Sequence, residues 1–208
     1  MLTRRVFLGM LAMSSVTRAF ATSAPARPSL VIQPLEPYDP AAIPIVRATL
    51  EEVFSYAVTI NAPRPIPAHA KNELRGRYHA PTIAQTLGDA LTLAITDADI
   101  CQPGKHPTLG YPIPDWGVIG VAALGGPGGV ISTHRIKDSR WLPYIVVHET
   151  GHLRGLDHCA NERCQMLDVR GVGKKYLGMR YGWFCDQHDT HVPPAALVQG
   201  ALLPSMKD

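Results

Sequence analysis

No apolar run in these 208 residues is long enough to cross a bilayer, which takes about 20 residues. The best candidate, Val6 to Val16, has 11 residues and is interrupted by Gly9, Ser14 and Ser15. Cysteine is scarce: Cys101, Cys159, Cys164 and Cys185 allow two disulfides at most. No internal repeat or low-complexity tract is present, so the chain past its N-terminal segment reads as one domain of ordinary size. No basic stripe with interleaved aromatics occurs, which argues against nucleic acid as a partner. The glycine-rich stretch Gly125-Gly126-Pro127-Gly128-Gly129 lacks the following helix and lysine of a phosphate cradle. It reads as a plain turn, or as a bend feeding the apolar segment after it.

What is present begins at the N-terminus. Thr3-Arg4-Arg5-Val6-Phe7-Leu8-Gly9 looks like a twin-arginine export signal, and Ala19-Phe20-Ala21 supplies an A-x-A cleavage site. Residues 1–21 are therefore expected to be a signal peptide and 22–28 a linker, with residues 29–208 forming one domain that ends in a flexible tail. An uncleaved membrane anchor and a basic amphipathic tail are the alternatives. Residues 1–21 hold three arginines and no acid, so their removal leaves 17 basic against 17 acidic residues. The formal +3 then belongs to the signal. The expected location is the periplasm, with no stable membrane span in the mature chain.

One stretch names a chemistry. His148-Glu149-Thr150-Gly151-His152-Leu153-Arg154-Gly155-Leu156-Asp157-His158 fits H-E-x-x-H-x-x-G-x-x-H. Histidines four apart share one face of a helix, so two imidazoles reach one metal at about 2.0–2.1 Å. Gly155 can take a left-handed conformation and let the chain turn back, bringing His158 in as a third ligand. Three imidazoles leave Zn2+ an open position for water, and Glu149 is the candidate general base. A histidine-rich surface helix is the bland alternative.

Straight after His158 come Cys159, Cys164, Gln165 and Met166, then Cys185 and His188. A zinc motif running into H-C-x4-C-x-M and then a C-x2-H pair resembles the archaemetzincins, a branch of the metzincin metallopeptidases. Ile95-Thr96-Asp97-Ala98-Asp99-Ile100 and Val130-Ile131-Ser132-Thr133-His134-Arg135-Ile136 resemble further segments of that family. The resemblance covers roughly residues 29 to 190. It implies a Met-turn at Met166 beneath the three histidines. It also implies a second, structural zinc on Cys159, Cys164, Cys185 and His188, and a strand at Val130, Ile131 and Ser132 whose edge pairs with an extended peptide. The sequence departs from the pattern in three ways. His188 stands where the family has a cysteine, the gap before Cys185 is one residue longer, and Thr150 replaces an aliphatic residue. On the residues alone the cysteines remain open to disulfides or free thiols, since exported proteins favour disulfides.

The elements follow from periodicity. Leu30-Val31-Ile32, Ala57 to Ile60, Leu91 to Ile95, Trp116 to Ala122 and Val130 to Ser132 are predicted strands. Pro40 to Phe54 and Ala80 to Leu87 are predicted helices, and Ser139 with Pro143 opens the helix that carries the motif. Mixed strands and helices followed by an irregular cysteine-rich part give an α+β class. By the resemblance, this is a metzincin-like mixed twisted sheet with packed helices. His69, His79, His106 and His191 are expected to face solvent, with His134 near the proposed cleft. Trp141, Trp183 and Tyr181 are expected in the core, and Asp97 and Asp99 in turns.

The expected activity is zinc-dependent hydrolysis of a peptide or protein substrate, by an endopeptidase or an aminopeptidase. The alternatives are a catalytically silent zinc-binding module and a zinc hydrolase of non-protein amides.

Overall fold

The computed structural model describes residues 27–106, 108–168 and 184–189. The expected signal, most of the linker, the tail, Tyr181, Trp183 and His191 lie outside them. In chain order the strands are β1 (Ser29–Glu36), β2 (Ala57–Ile60), β3 (Arg64–Pro65), β4 (Lys71–Asn72), β5 (Arg77–His79), β6 (Thr92–Thr96), β7 (Ile100–Lys105), β8 (Pro112–Val118), β9 (Gly120–Ala122) and β10 (Gly128–Ser132). The helices are α1 (Ala42–Phe54), α2 (Ala80–Gln85), α3 (Leu142–Leu153) and the short α4 (Asp186–Asp189).

The main sheet runs β2-β1-β6-β10-β9, with β3 added to the far end of β1. Its pairs are parallel except for β10 with β9. A second sheet runs β4-β5-β7-β8. The main sheet is covered on both faces, which the period-two alternation of its strands records. Leu30, Ile32, Leu93, Ile95 and Ile131 join a core with Val46, Leu50 and Phe54 of α1 and Ile145 and Val146 of α3. Ala94 and Val130 point the other way, into a second core with Ala80 and Ile83 of α2 and Ile100 of β7. Mixed strands with helices packed on them confirm the α+β class.

Two sequence expectations change here. The segment Trp116 to Ala122 is two strands rather than one, because the chain leaves the second sheet at Val118 and joins the main sheet at Gly120. Val130, Ile131 and Ser132 do not offer an edge: β10 pairs with β6 on one side and β9 on the other, and all three residues are buried. The free edge at this end of the sheet belongs to β9.

Smaller corrections follow. Asp138, rather than Ser139, caps the turn before α3, accepting from the Arg140 amide at 3.0 Å. Pro143 sits in the first turn of α3, as its missing N–H allows. Asp99 is an ion-pair hub: Arg77 Nε at 2.8 Å and Arg135 Nη2 at 2.6 Å hold its two oxygens, joining the second sheet to the loop after β10. Asp97 accepts from the Thr133 hydroxyl. His69 and His134 are exposed, but His79 and His106 are half-buried, the first bonded to Thr82 and the second stacked on Tyr111. Trp141 packs against the first core. Among the described residues, no helix is long and apolar enough to cross a membrane.

Candidate metal centre

Helix α3 is buried along most of its length, which makes it a rigid platform for His148, Glu149 and His152. One helical turn brings the Nε2 atoms of His148 and His152 to 3.1 Å. Past Leu153 the Arg154 amide returns to the Thr150 and Gly151 carbonyls, and Gly155 takes φ +85°. At that angle a side chain would be strained, so the motif's glycine is a backbone requirement. The reversal carries His158 back over the helix, its ring centroid 4.8 Å from that of His152 and 5.5 Å from that of His148. One ligand atom from each of the three lies within 4.8 Å of the others.

The other ring nitrogens are fixed. His148 Nδ1 donates to the Gln165 carbonyl and His152 Nδ1 to the Leu156 carbonyl, both at 2.8 Å. A carbonyl only accepts, so each Nδ1 carries the proton and each Nε2 presents a lone pair. Two lone pairs facing one another at 3.1 Å are a spacing that a shared cation accommodates. Burial drives the His148 pKa down to about 4, against the opposing pull of the Gln165 carbonyl. His152 is lowered for the same leading reason. Two nitrogens at about 2.0–2.1 Å from one tetrahedral metal stand roughly 3.3 Å apart, so the donor set fits zinc.

Glu149 packs against Gly120 of β9, and burial pushes its carboxyl up to about 8. If a Cβ is built on Gly120, its three nearest heavy atoms all belong to Glu149, with Oε1 at 2.5 Å. The loop after β9 is tied to the same helix, since the Gly125 amide donates to the His152 carbonyl at 2.8 Å.

Met166 is fully buried below the histidines, its thioether filling the space that a side chain at Gly151 would take. Gln165, passed over in the sequence as a spacer, ties this floor to α3. Its side-chain amide donates to the Tyr144 carbonyl at 2.8 Å while its own carbonyl receives His148. Gly120 was equally invisible, because nothing local marks a residue whose neighbour is 29 positions away.

The second group assembles beside the first. Cys159 follows His158 directly, and its amide donates to the Met166 carbonyl at 2.8 Å. Cys159 Sγ lies 3.7 Å from Cys185 Sγ, and His188 Nδ1 lies 3.2 Å from Cys164 Sγ and 3.7 Å from Cys185 Sγ. Tetrahedral zinc at about 2.3 Å from sulfur and 2.0 Å from nitrogen sets such separations at roughly 3.6–3.8 Å. The two 3.7 Å separations match it, Cys164 and His188 stand closer, and four ligand atoms within 4.8 Å of one another suit a closed site. The thiols are free, and Cys101 sits in β7 of the other sheet, away from the cluster. Burial pushes the Cys164 thiol up to about 12, whereas backbone amides of Gln187 and His188 outweigh burial at Cys185 and lower it.

No family model matches the chain. An archaemetzincin of Natronomonas pharaonis is 34% identical over 136 residues, covering 56% of this chain and 73% of that protein. One from Halobacterium salinarum is 31% identical over 150 residues, covering 62% and 81%. The crystal structure of the Archaeoglobus fulgidus archaemetzincin, complexed with malonate, superposes with a TM-score of 0.62 at 26% identity, covering 79% of this chain and 99% of that one. The Methanopyrus kandleri archaemetzincin shares the fold, with a TM-score of 0.61 at 22% identity over 81% and 95% of the two chains. On these identities and coverages, the chain belongs to the archaemetzincin family, a branch of the metzincin zinc metallopeptidases.

Proposed function

We propose that this protein hydrolyses peptide bonds with a zinc ion held by His148, His152 and His158, and with Glu149 as general base. The observation that carries the reading is the pair of committed Nδ1 protons, which leaves two Nε2 lone pairs converging at 3.1 Å, with Glu149 buried next to His148 in the chain on the same helix. Zinc in that triangle supplies Lewis acidity toward the carbonyl and acidifies water at the site. Glu149 takes the proton from the attacking water and hands it to the leaving amine. The Gln165 carbonyl holds the first imidazole in place, and Met166 packs against Gly151 of the same helix. The free edge of β9 suits an extended peptide, which would hydrogen-bond along Gly120 to Ala122.

Cys159, Cys164, Cys185 and His188 hold a second, structural zinc in this reading. Four protein ligands close the tetrahedron and leave no room for water. The chain is exported through the twin-arginine-type segment at Arg4-Arg5 and works in the periplasm, with cleavage after Ala21. Replacing both arginines with lysine should stop the mature protein from appearing there.

The test of the activity is a mixed peptide library challenged with the two-zinc protein and with Glu149→Ala. Cleavage should fall by about two orders of magnitude or more with zinc retained. Product masses then separate an endopeptidase from an aminopeptidase. A wild-type protein that leaves every peptide intact would sink the peptidase reading, in favour of a zinc-dependent binding protein or a hydrolase of non-protein amides.

A further inference from the structure

We propose that Gly120 is a positioning residue for Glu149: the missing side chain at the start of β9 is the space that the carboxylate occupies. The inference rests on the reading of Glu149 as general base and extends it to a residue outside the zinc motif. A Cβ at Gly120 would stand 2.5 Å from Glu149 Oε1 and 2.7 Å from both Cδ and Cγ. Real Cβ atoms do not approach heavy atoms that closely, so an alanine there and the present Glu149 rotamer exclude each other. The clash includes Cγ, so turning the carboxylate about its last bond does not relieve it.

Backbone conformation does not explain the glycine. The left-handed glycines of the described chain are Gly76, Gly88, Gly110, Gly125 and Gly155, and Gly120 is not among them. Its backbone is that of an ordinary strand residue, in register with Ile131 of β10. A β-branched residue would suit a strand better, and the next position, Val121, is one. What distinguishes Gly120 is the neighbour above it. Glu149 is buried on helix α3, itself buried along most of its length. The glycine therefore sets both where the carboxylate lies and how close the strand edge comes to it. An extended peptide on that edge would meet the carboxylate there.

The experiment is a double-mutant cycle on the zinc-loaded protein, comparing Gly120→Ala, Glu149→Ala and the pair, with zinc content, thermal midpoint and peptide-library cleavage read for each. Gly120→Ala should lower kcat about 100-fold, the low end for a displaced general base, with KM changed less than about threefold. Both zinc ions should be retained. In the Glu149→Ala background the same substitution should cost no further activity. The midpoint supplies a readout free of catalysis: overpacking should lower it by about 5 °C in the wild-type background. With Glu149 truncated it should stay unchanged or rise, as expected of glycine to alanine in open strand geometry. If Gly120→Ala alone fails to fold, recovery of the fold in the double variant carries the same meaning. Losses that add independently in the two backgrounds overturn the proposal, as does a fully active Gly120→Ala protein. Full activity of Glu149→Ala would instead overturn the general-base reading while leaving the steric coupling measurable through the midpoint.

Discussion

The Nδ1 atom of His148 donates to the carbonyl oxygen of Gln165 across 2.8 Å, and the side-chain amide of Gln165 reaches back to the Tyr144 carbonyl one turn earlier on the same helix. A single residue of the loop thus fixes the tautomer of a candidate zinc ligand and clamps the loop to the helix that carries it. Met166, the next residue, fills the floor against Gly151.

Gln165→Ala keeps the backbone carbonyl but removes the clamp. It should cost about 1 kcal/mol of stability and weaken zinc at the histidine site about tenfold, the scale for lost outer partners of metal ligands. Thermal unfolding and competition with a chelator measure the two effects. Unchanged zinc affinity would reduce Gln165 to a packing residue.

Thr150 is fully buried, and its hydroxyl has no hydrogen-bond partner among the described residues. Thr150→Val replaces that hydroxyl with a methyl of the same shape. The variant should gain about 1 kcal/mol, raising the midpoint by roughly 2–4 °C for a domain of this size. A lower midpoint would show that the hydroxyl has a partner when the protein is loaded. The sequence shows only that a threonine stands here where the family has an aliphatic residue.

His188 supplies the one imidazole of the second cluster. Elemental analysis should give two zinc per folded chain, falling to one for His188→Ala. His188→Cys should keep both, since four thiolates also close a tetrahedral site. A wild-type protein with one zinc and no titratable thiols after denaturation would favour disulfides instead.

Burial raises the Asp99 carboxyl, but hydrogen bonds and charge from Arg77 and Arg135 outweigh it and leave its pKa below the ordinary 3.8. A carboxyl depressed in the folded state adds stability that is complete above its unfolded pKa and lost as pH falls through the folded one. Wild type should therefore lose more stability than Asp99→Asn as pH is lowered below about 4. Zinc loss on acidification is common to both proteins and drops out of the difference. Denaturant midpoints across pH 5 to 3, run in parallel, check it; identical slopes would remove Asp99 from the acid response.

The parts legible in the sequence were those written along one short stretch of chain. Histidines four apart meet on a helix whatever surrounds them, and the glycine that reverses the chain stands at its required place. The strands β1, β2 and β6 and helices α1 and α2 also declare themselves, through local apolar periodicity. Two strands of the second sheet stayed hidden because β4 and β5 are two and three residues long, too short for alternation to register.

Sequence alone thus determined the candidate ligand set, the helix that bears it and the α+β class, all of which rest on local spacing. Only the tertiary structure decided which strand is an edge. Val130, Ile131 and Ser132 look like a cleft strand by resemblance, yet β9 takes the outer position and β10 is enclosed. Strand pairing is a contact between distant segments, so no periodicity within β10 reports whether a neighbour covers it. The same holds for Gly120 and Gln165: each matters because of a side chain elsewhere in the chain, and that proximity exists only once the chain has folded.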